Sequence, residues 1–307
     1  MTLQLPVDAG IFPRRVTLEL TNRCNLSCTF CPRQFMEKER GFMDFDLARD
    51  LILEMKAHAP VTVVPFFRGE SLLHPQWYEI LCLIQDNEVG DIQFTTNASL
   101  LTVQNSERIL DLDLSFISFS LDTLDPVLYA ESRRGADLAK VTNNVLQFLK
   151  MRDACGSRTQ VQVSAVETQA HKVGMDAFVE FWREKVDRVR VYTEHSSDGH
   201  PGSIDEELPT FESRLPCHKP FSDMVVYWNG QTACCNHDWT RQVNGIPLGD
   251  VGADGIAAVW QGGAYARLRE MHLNSCLDGV VPCDGCDHWK MYHMKNGFLG
   301  RTYTQRG

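Results

Sequence analysis

The chain has 307 residues, of which 43% are hydrophobic and 23% charged, and its formal net charge is −10 at pH 7. This length fits one large domain or a large and a small one, and the composition is ordinary for a globular enzyme. The negative charge excludes a nucleic-acid binder of the usual basic kind. No apolar run could span a bilayer, and residues 1–15 lack the layout of a secretory signal. We therefore expect a cytoplasmic protein without a membrane partner.

Short apolar runs rich in Val, Ile and Phe alternate with longer amphipathic stretches from about residue 15 to residue 194. Strands are predicted at Val16–Leu20, Val61–Phe67, Ile92–Thr96, Phe116–Leu121, Val161–Val166 and Val189–Tyr192. Helices are predicted between them at Asp44–Ala57, Pro75–Asn87, Val103–Leu110, Ala136–Arg152 and Met175–Lys185. Repeated strand–helix units predict an α/β fold with a parallel sheet and outer helices, and six units fit an open, partial (β/α) barrel.

The pattern changes near Ser196, where a turn-rich linker begins. After Leu215 the alternation of helices and strands stops, and cysteines return. We therefore predict four parts: an N-terminal segment at 1–14, a barrel at 15–200, a small second domain at 210–290 and a C-terminal tail at 291–307.

Three cysteines follow the first predicted strand at a Cys-x3-Cys-x2-Cys spacing, namely Cys24, Cys28 and Cys31. Three thiolates can hold three irons of a [4Fe–4S] cube, which leaves the fourth iron open to a ligand from outside the protein. Zinc is the alternative, but a zinc site normally has a fourth ligand, typically Cys or His, close by. Eleven cysteines without a secretory signal favour metal ligation over disulfides.

The motif lies in Leu18-Glu-Leu-Thr-Asn-Arg-Cys-Asn-Leu-Ser-Cys-Thr-Phe-Cys-Pro32, which resembles the cluster loop of radical S-adenosylmethionine (SAM) enzymes. In that family SAM ligates the open iron, and the reduced cluster cleaves it to a 5′-deoxyadenosyl radical. The resemblance implies SAM and a [4Fe–4S] cluster as cofactors, and a flavodoxin- or ferredoxin-type reductant. It also implies the partial (β/α)6 barrel of the family.

Residues after the other strands resemble the SAM-binding elements of the same family, and parallel barrels build their sites at these strand ends. Arg68-Gly69-Glu70-Ser71 keeps the Gly-Glu core of the family's Gly-Gly-Glu-Pro motif but departs from it on both sides. For each of these residues a structural role is the alternative. The resemblance implies contacts with SAM from Phe30, Gly69, Glu70, Asn97, Ser120 and Asp122.

A second cysteine set lies beyond residue 215. A strand, Asn229-Gly230 and another strand predict a hairpin that folds Cys235 back toward Cys217. A later Cys-x2-Cys lets two more thiolates reach one metal. This layout resembles the Twitch domain, the short form of the SPASM domain, and implies an auxiliary [4Fe–4S] cluster; a structural zinc ribbon and ligation by Cys234 are the alternatives. The implied ligands are Cys217, Cys235, Cys283 and Cys286.

The size and layout resemble the dehydrogenases and epimerases of aminoglycoside biosynthesis. This implies hydrogen-atom abstraction from a carbinol or amine-bearing C–H of an aminoglycoside, an aminocyclitol or a related small, cationic sugar. Cys276 favours epimerisation, because a thiol can donate a hydrogen atom to the substrate radical. Glu167 and Glu194, with His195, are candidate bases after the fifth and sixth strands. The alternatives are oxidation of a secondary alcohol through the auxiliary cluster, modification of a peptide, and a zinc-binding scaffold without activity.

Overall fold

The computed structural model describes residues 9–36, 39–196, 202–204, 207–239, 248–294 and 297–304. Six parallel strands form the barrel, and each matches one that the sequence predicts. They are β1 (Arg15–Leu18), β2 (Thr62–Val64), β3 (Gln93–Thr96), β4 (Phe116–Ser120), β5 (Gln160–Glu167) and β6 (Arg188–Thr193). Three further strands follow: β7 (Asp223–Val226), β8 (Thr232–Ala233) and β9 (Gly300–Thr304).

The helices that connect the barrel strands pack on the outside of the sheet. They are α1 (Phe45–Lys56), α2 (Trp77–Asp86), α3 (Val103–Leu110), α4 (Pro126–Ser132), α5 (Leu138–Cys155) and α6 (Met175–Arg183). The sequence prediction missed α4, which begins with a proline in its first turn behind an Asp125 cap. The C-terminal part adds α7 (Lys219–Ser222), α8 (Val251–Asp254), α9 (Ile256–Gln261) and α10 (Gly263–Leu273).

The strands follow one another in the order β8-β7-β1-β2-β3-β4-β5-β6-β9. β1 to β6 are parallel, with a single bridge between Val63 and Ile92 joining the two halves of the sheet. This arrangement confirms the predicted partial barrel. Strand residues such as Val16, Val63 and Ile117 are fully buried, as expected for a sheet covered on both faces.

The C-terminal part is joined to the barrel at both edges of the sheet. β7 pairs in parallel with β1, and β8 returns antiparallel to β7 through a turn in which Gly230 has φ of 87°. This is the predicted hairpin. At the other edge β9 pairs antiparallel with β6, so the segment predicted as a tail contains a strand of the main sheet. Within the described residues, no helix has the length and apolar character needed to cross a membrane.

Candidate active site

The cluster loop leaves β1 and carries its three cysteines over the carboxyl ends of the barrel strands. Residues Ser27–Cys28 pair antiparallel with Arg133–Arg134, and the Arg33 guanidinium donates to the Leu26 carbonyl at 3.0 Å. All three thiols are partly buried, and none forms a disulfide. Burial raises the pKa of each thiol, that of Cys28 to about 11. A bound metal cation would offset this cost, because coordination deprotonates a thiol.

Gly69 brings the turn after β2 against the backbone of the cluster loop. A Cβ at this position would lie 2.1 Å from the Thr21 carbonyl oxygen and 2.5 Å from that of Arg23. The next amide, that of Glu70, donates to the Arg23 oxygen at 2.8 Å. Gly69 therefore serves the close packing of two loops, a use of glycine that needs no contact with SAM.

Glu70 is buried and ties the ends of β2 and β3 together. Its carboxylate accepts from the Thr96 hydroxyl at 2.8 Å, the Asn97 amide at 2.9 Å and the Leu72 amide at 3.3 Å. Burial raises the pKa of this carboxyl, against the effect of those three donors. Glu70 also lines the cavity beside the cysteines. The hydrogen bonds to Thr96 and Asn97 show that Glu70 positions the turn after β3. A contact between Glu70 and the SAM ammonium stays a prediction.

Asn97 holds the cluster loop from the end of β3. Its side-chain amide donates to the Asn25 side-chain oxygen at 3.2 Å and lies 3.8 Å from the Cys24 sulfur. Its own oxygen accepts from the amide of Ser99 at 2.9 Å and also from that residue's hydroxyl. Ala98, the next residue, has φ of 57°. The turn after β3 therefore brings Asn97, a predicted SAM contact, against the cluster loop.

A cavity of ≈ 300 Å³ lies between the cysteine loop and the strand ends. Five of the six residues predicted to contact SAM line it, namely Phe30, Gly69, Glu70, Asn97 and Ser120. Asp122 lies outside this lining. Its carboxylate accepts from the Arg133 guanidinium and from the Val166 amide at 2.8 Å, so it positions Arg133, which does line the cavity.

A second cavity of ≈ 400 Å³ lies inside the barrel and shares wall residues with the first. The shared residues are Phe66, Thr95, Ser120, Arg133 and Val166. We call this second space the substrate cavity.

Arginines dominate the charge of the substrate cavity. Arg15 donates to the Gln93 side chain at 2.8 Å, Arg188 donates to that of Gln162 at 2.7 Å, and the Arg190 guanidinium lies 3.6 Å from the Phe298 ring centre. In the described part of the chain, none of these three arginines forms an ion pair with a carboxylate. Burial and the charge of Arg190 lower the pKa of Arg188. This excess of positive charge is the opposite of what a cationic substrate needs.

The auxiliary cysteines converge on a small pocket of ≈ 30 Å³. Its lining includes all four predicted ligands and Cys234. Burial and neighbouring thiols raise the pKa of Cys286 to about 12 and hold that of Cys217 well above its usual range. Gly202 packs closely on Cys286, since a Cβ there would lie 2.5 Å from the Cys286 sulfur. Buried thiols facing one another fit an iron–sulfur cluster.

Cys235 and Cys234 take different positions at this pocket. The thiols of Cys286, Cys235 and Cys283 add to burial in raising the pKa of Cys217. Cys234 is fully buried, and its charge would act on the core tyrosines Tyr227 and Tyr265. Its sulfur is 3.9 Å from that of Cys235. Cys234 also hydrogen-bonds to Cys283, so both thiols lie at the pocket, and ligation by Cys235 stays a prediction.

Three of the residues predicted for catalysis, Cys276, Glu167 and Glu194, do not line the substrate cavity. Cys276 is exposed in the turn after α10, and neither cavity includes it. Glu167 is ion-paired with Arg301, a residue of β9, and Glu194 is absent from both linings. His195, in contrast, lines the substrate cavity. The hydrogen-donor assignment therefore has no support from the fold, because a donor must touch the substrate radical.

Several residues at the site gave no clear signal in the sequence. Glu19 and Arg68 form a fully buried ion pair with atoms 2.6 Å apart, and Arg68 also donates to the Trp239 carbonyl at 3.0 Å. The available hint was Glu19, a charged residue inside the apolar run before the cysteines, because a buried charge needs a partner. His237 and His288 line both the substrate cavity and the auxiliary pocket. Burial lowers the pKa of both rings, that of His288 to about 3.

Two family models match the chain in the regions that carry these sites. Residues 18–156 match the radical SAM superfamily, and residues 217–287 match the SPASM iron–sulfur cluster-binding domain. The chain is therefore a radical SAM enzyme with a C-terminal SPASM/Twitch domain. It uses SAM with a [4Fe–4S] cluster, carries auxiliary iron–sulfur ligation in the SPASM domain and depends on an external reductant.

Curated relatives share part of the sequence. The chain is 24% identical to a tungsten-containing aldehyde ferredoxin oxidoreductase cofactor-modifying protein of Pyrococcus furiosus, over 89% of this chain and 88% of that one. It is 27% identical to a probable GTP 3′,8-cyclase of Methanocaldococcus jannaschii, over 56% of this chain and 55% of that one. The chain thus spans about half the length of that cyclase.

Solved structures share the fold. BtrN, determined with AdoMet and 2-DOIA, superposes with a TM-score of 0.57 at 18% identity, over 89% of this chain and 92% of that one. SuiB of Streptococcus suis, bound to S-adenosylmethionine, superposes with a TM-score of 0.69 at 17% identity, over 94% of this chain and 76% of that one. These likenesses show that the chain shares its overall fold with both proteins.

Proposed function

We propose that the enzyme dehydrogenates a small polar substrate at a carbinol or amine-bearing carbon. The observation that carries this proposal is the position of the substrate cavity between two cofactor sites. On one side it shares Arg133 and Ser120 with the cavity beside the cluster loop. On the other side it shares His237 and His288 with the auxiliary cysteine pocket. A substrate in this cavity would therefore contact wall residues of both cofactor sites.

The residues fit both cofactors, and the chemistry follows from them. Cys24, Cys28 and Cys31 would hold a [4Fe–4S] cluster that, together with SAM, would supply a 5′-deoxyadenosyl radical able to remove a hydrogen atom from carbon. An alcohol substrate that gave up this hydrogen atom would lose a proton to a base and one electron to the auxiliary cluster and become a ketone, and that electron would offset the one used to cleave SAM. Within the protein, Asn97 and Glu70 hold the cluster loop and the adjoining turn. Arg133, fixed by Asp122, reaches into both cavities.

Epimerisation, the reaction favoured from sequence, needs a hydrogen donor in contact with the substrate radical. Among the described residues that line the substrate cavity there is no cysteine, and Cys276 is exposed elsewhere. The auxiliary pocket, in contrast, adjoins the cavity through two histidines. These observations support oxidation, the alternative to epimerisation, as the outcome of hydrogen abstraction.

The substrate carries an anionic group in this proposal, so the aminoglycoside expectation is revised. Arg15, Arg188 and Arg190 face the substrate cavity without carboxylate partners in the described part of the chain. Guanidinium groups bind carboxylates and phosphates well. Polar side chains nearby, among them Gln162 and Ser118, suit the hydroxyls of a sugar-like molecule. The volume of ≈ 400 Å³ is that of a small-molecule site, which favours such a substrate over a peptide.

The test is turnover of anaerobically reconstituted enzyme with SAM and either a reduced flavodoxin or a reduced ferredoxin. Hydroxy acids, sugar acids and sugar phosphates are compared with aminosugars and aminocyclitols. We expect 5′-deoxyadenosine together with a product that lacks two hydrogen atoms, and only from the anionic set. A product that has the mass of the substrate in ordinary water and gains one deuterium in heavy water would mean epimerisation. Turnover of the cationic set alone would reject the substrate class.

A further inference from the structure

Three histidines from distant parts of the sequence meet at the wall of the substrate cavity. His195 follows β6, His237 follows the hairpin, and His288 follows the last pair of cysteines. One ring nitrogen from each lies within 4.8 Å of the others. The ring centroids of His237 and His288 are 3.8 Å apart, and that of His195 is 4.9 Å and 5.0 Å from them. The three rings therefore form one cluster at the cavity wall.

The hydrogen bonding of these rings leaves nitrogens unsatisfied. Nδ1 of His237 and Nε2 of His288 are buried and have no hydrogen-bond partner among the described residues. The His237 side chain is almost completely buried, with an exposure of 5%. Leaving a buried polar atom unpaired costs about 1–3 kcal/mol. A ligand held by the rings of this cluster would satisfy both atoms.

The third ring is held in the way that metal-ligating histidines usually are. Nδ1 of His195 lies 3.2 Å from the Ser196 hydroxyl, which itself accepts from the Gly202 amide at 2.7 Å. A hydrogen bond at one ring nitrogen fixes the orientation of the ring and leaves the other nitrogen for the ion.

We propose that His195, His237 and His288 together bind one divalent transition-metal ion, distinct from both iron–sulfur clusters. Imidazole nitrogen suits zinc, iron, nickel and copper, whereas the thiolates nearby suit iron–sulfur clusters. Three protein ligands with a further position open is the arrangement of catalytic zinc sites. All three histidines line the substrate cavity, so a hydroxyl or an anionic oxygen of a bound molecule could take that position.

The test is zinc binding by the anaerobically reconstituted enzyme with both clusters loaded. We expect one zinc per chain at unchanged iron content in the wild type. In His195→Ala the affinity should fall at least about tenfold with iron unchanged, since one of three ligands is lost. His195 is chosen because it is not adjacent in sequence to a cluster cysteine. His58→Ala, which removes a ring stacked on Phe12 outside both cavities, is the matched control and should bind zinc like the wild type.

X-ray absorption at the zinc edge provides the second measurement. It identifies the atoms bound to zinc even if a variant loses iron. Bound zinc should show nitrogen neighbours at about 2.0–2.1 Å and no sulfur at about 2.3 Å. A sulfur shell would mean that zinc occupies cysteine sites, which overturns the proposal. Equal zinc affinity in the wild type and His195→Ala, or no zinc in the wild type, would overturn it as well. Turnover is not needed for any of these readings.

Discussion

Replacing Gly69 by alanine tests whether the turn after β2 must touch the cluster loop. The added methyl group would lie 2.1 Å from the Thr21 carbonyl oxygen and 2.5 Å from that of Arg23. Both atoms belong to the backbone, so no side chain can rotate away to make room. The turn and the loop must separate by on the order of 1 Å to restore ordinary contact distances.

The free-energy cost follows from these contacts. Overpacking of this kind destabilises a folded protein by about 1–3 kcal/mol. Separation also breaks the hydrogen bond of 2.8 Å between the Glu70 amide and the Arg23 oxygen, a loss of about 1 kcal/mol. We therefore expect Gly69→Ala to reduce the free energy of unfolding by about 2–4 kcal/mol. It should also disturb the three-cysteine loop.

The assay combines the guanidinium midpoint of the anaerobic protein, its iron content after reconstitution and its affinity for SAM. Gly174→Ala is the matched control, because Gly174 has φ of −97° and a Cβ there meets no atom within 4 Å. The control should stay within about 0.5 kcal/mol of the wild type. If Gly69→Ala also keeps the wild-type midpoint, iron content and SAM affinity, the assignment of Gly69 to close packing against the cluster loop is refuted.

Three further predictions concern the ion pair, the auxiliary ligands and the substrate cavity. Arg68→Met should destabilise the fold by about 3–5 kcal/mol in denaturant unfolding, because it leaves the buried Glu19 carboxylate without its partner. Cys235→Ala should lower the iron content from about eight to about four per chain, whereas Cys234→Ala should leave it near eight. Arg190→Met should raise KM for an anionic substrate at least about tenfold, as expected for loss of a charged hydrogen bond, with little change in kcat.

Each of these predictions has a control. Glu19→Leu combined with Arg68→Met should regain most of the lost stability, and an additive loss would contradict the buried-charge explanation. Equal iron loss in both cysteine variants would mean that the pocket as a whole, and not one thiol, was disturbed. Arg49→Met, on the exposed face of α1, should leave KM unchanged. If Arg49→Met raised KM as much as Arg190→Met, the effect would come from the net charge of the protein and not from a local contact of Arg190.

Much of the fold could be predicted because its signals are local. All six barrel strands form within a few residues of their predicted bounds, since buried parallel strands are short apolar runs. The Asn229-Gly230 turn gives its hairpin for a similar reason, as Gly230 adopts φ of 87°. The prediction failed where the signal was long-range. β9 lies in a polar segment, Gly300–Thr304, and exists as a strand because the exposed edge of β6 pairs with it.

The sequence by itself determined the family, because Cys24, Cys28 and Cys31 lie a few residues apart and their spacing can be read directly from the sequence. It also named six SAM-contact candidates, of which five line the cavity beside the cysteines. Only the tertiary structure decided which charges face the substrate, since Arg15 and Arg190 come from strands 175 residues apart in the numbering of the chain. The same is true of the three histidines, which long-range packing brings within 4.8 Å. Spacing along a chain predicts local ligand sets, whereas the lining of a cavity depends on how distant strand ends converge.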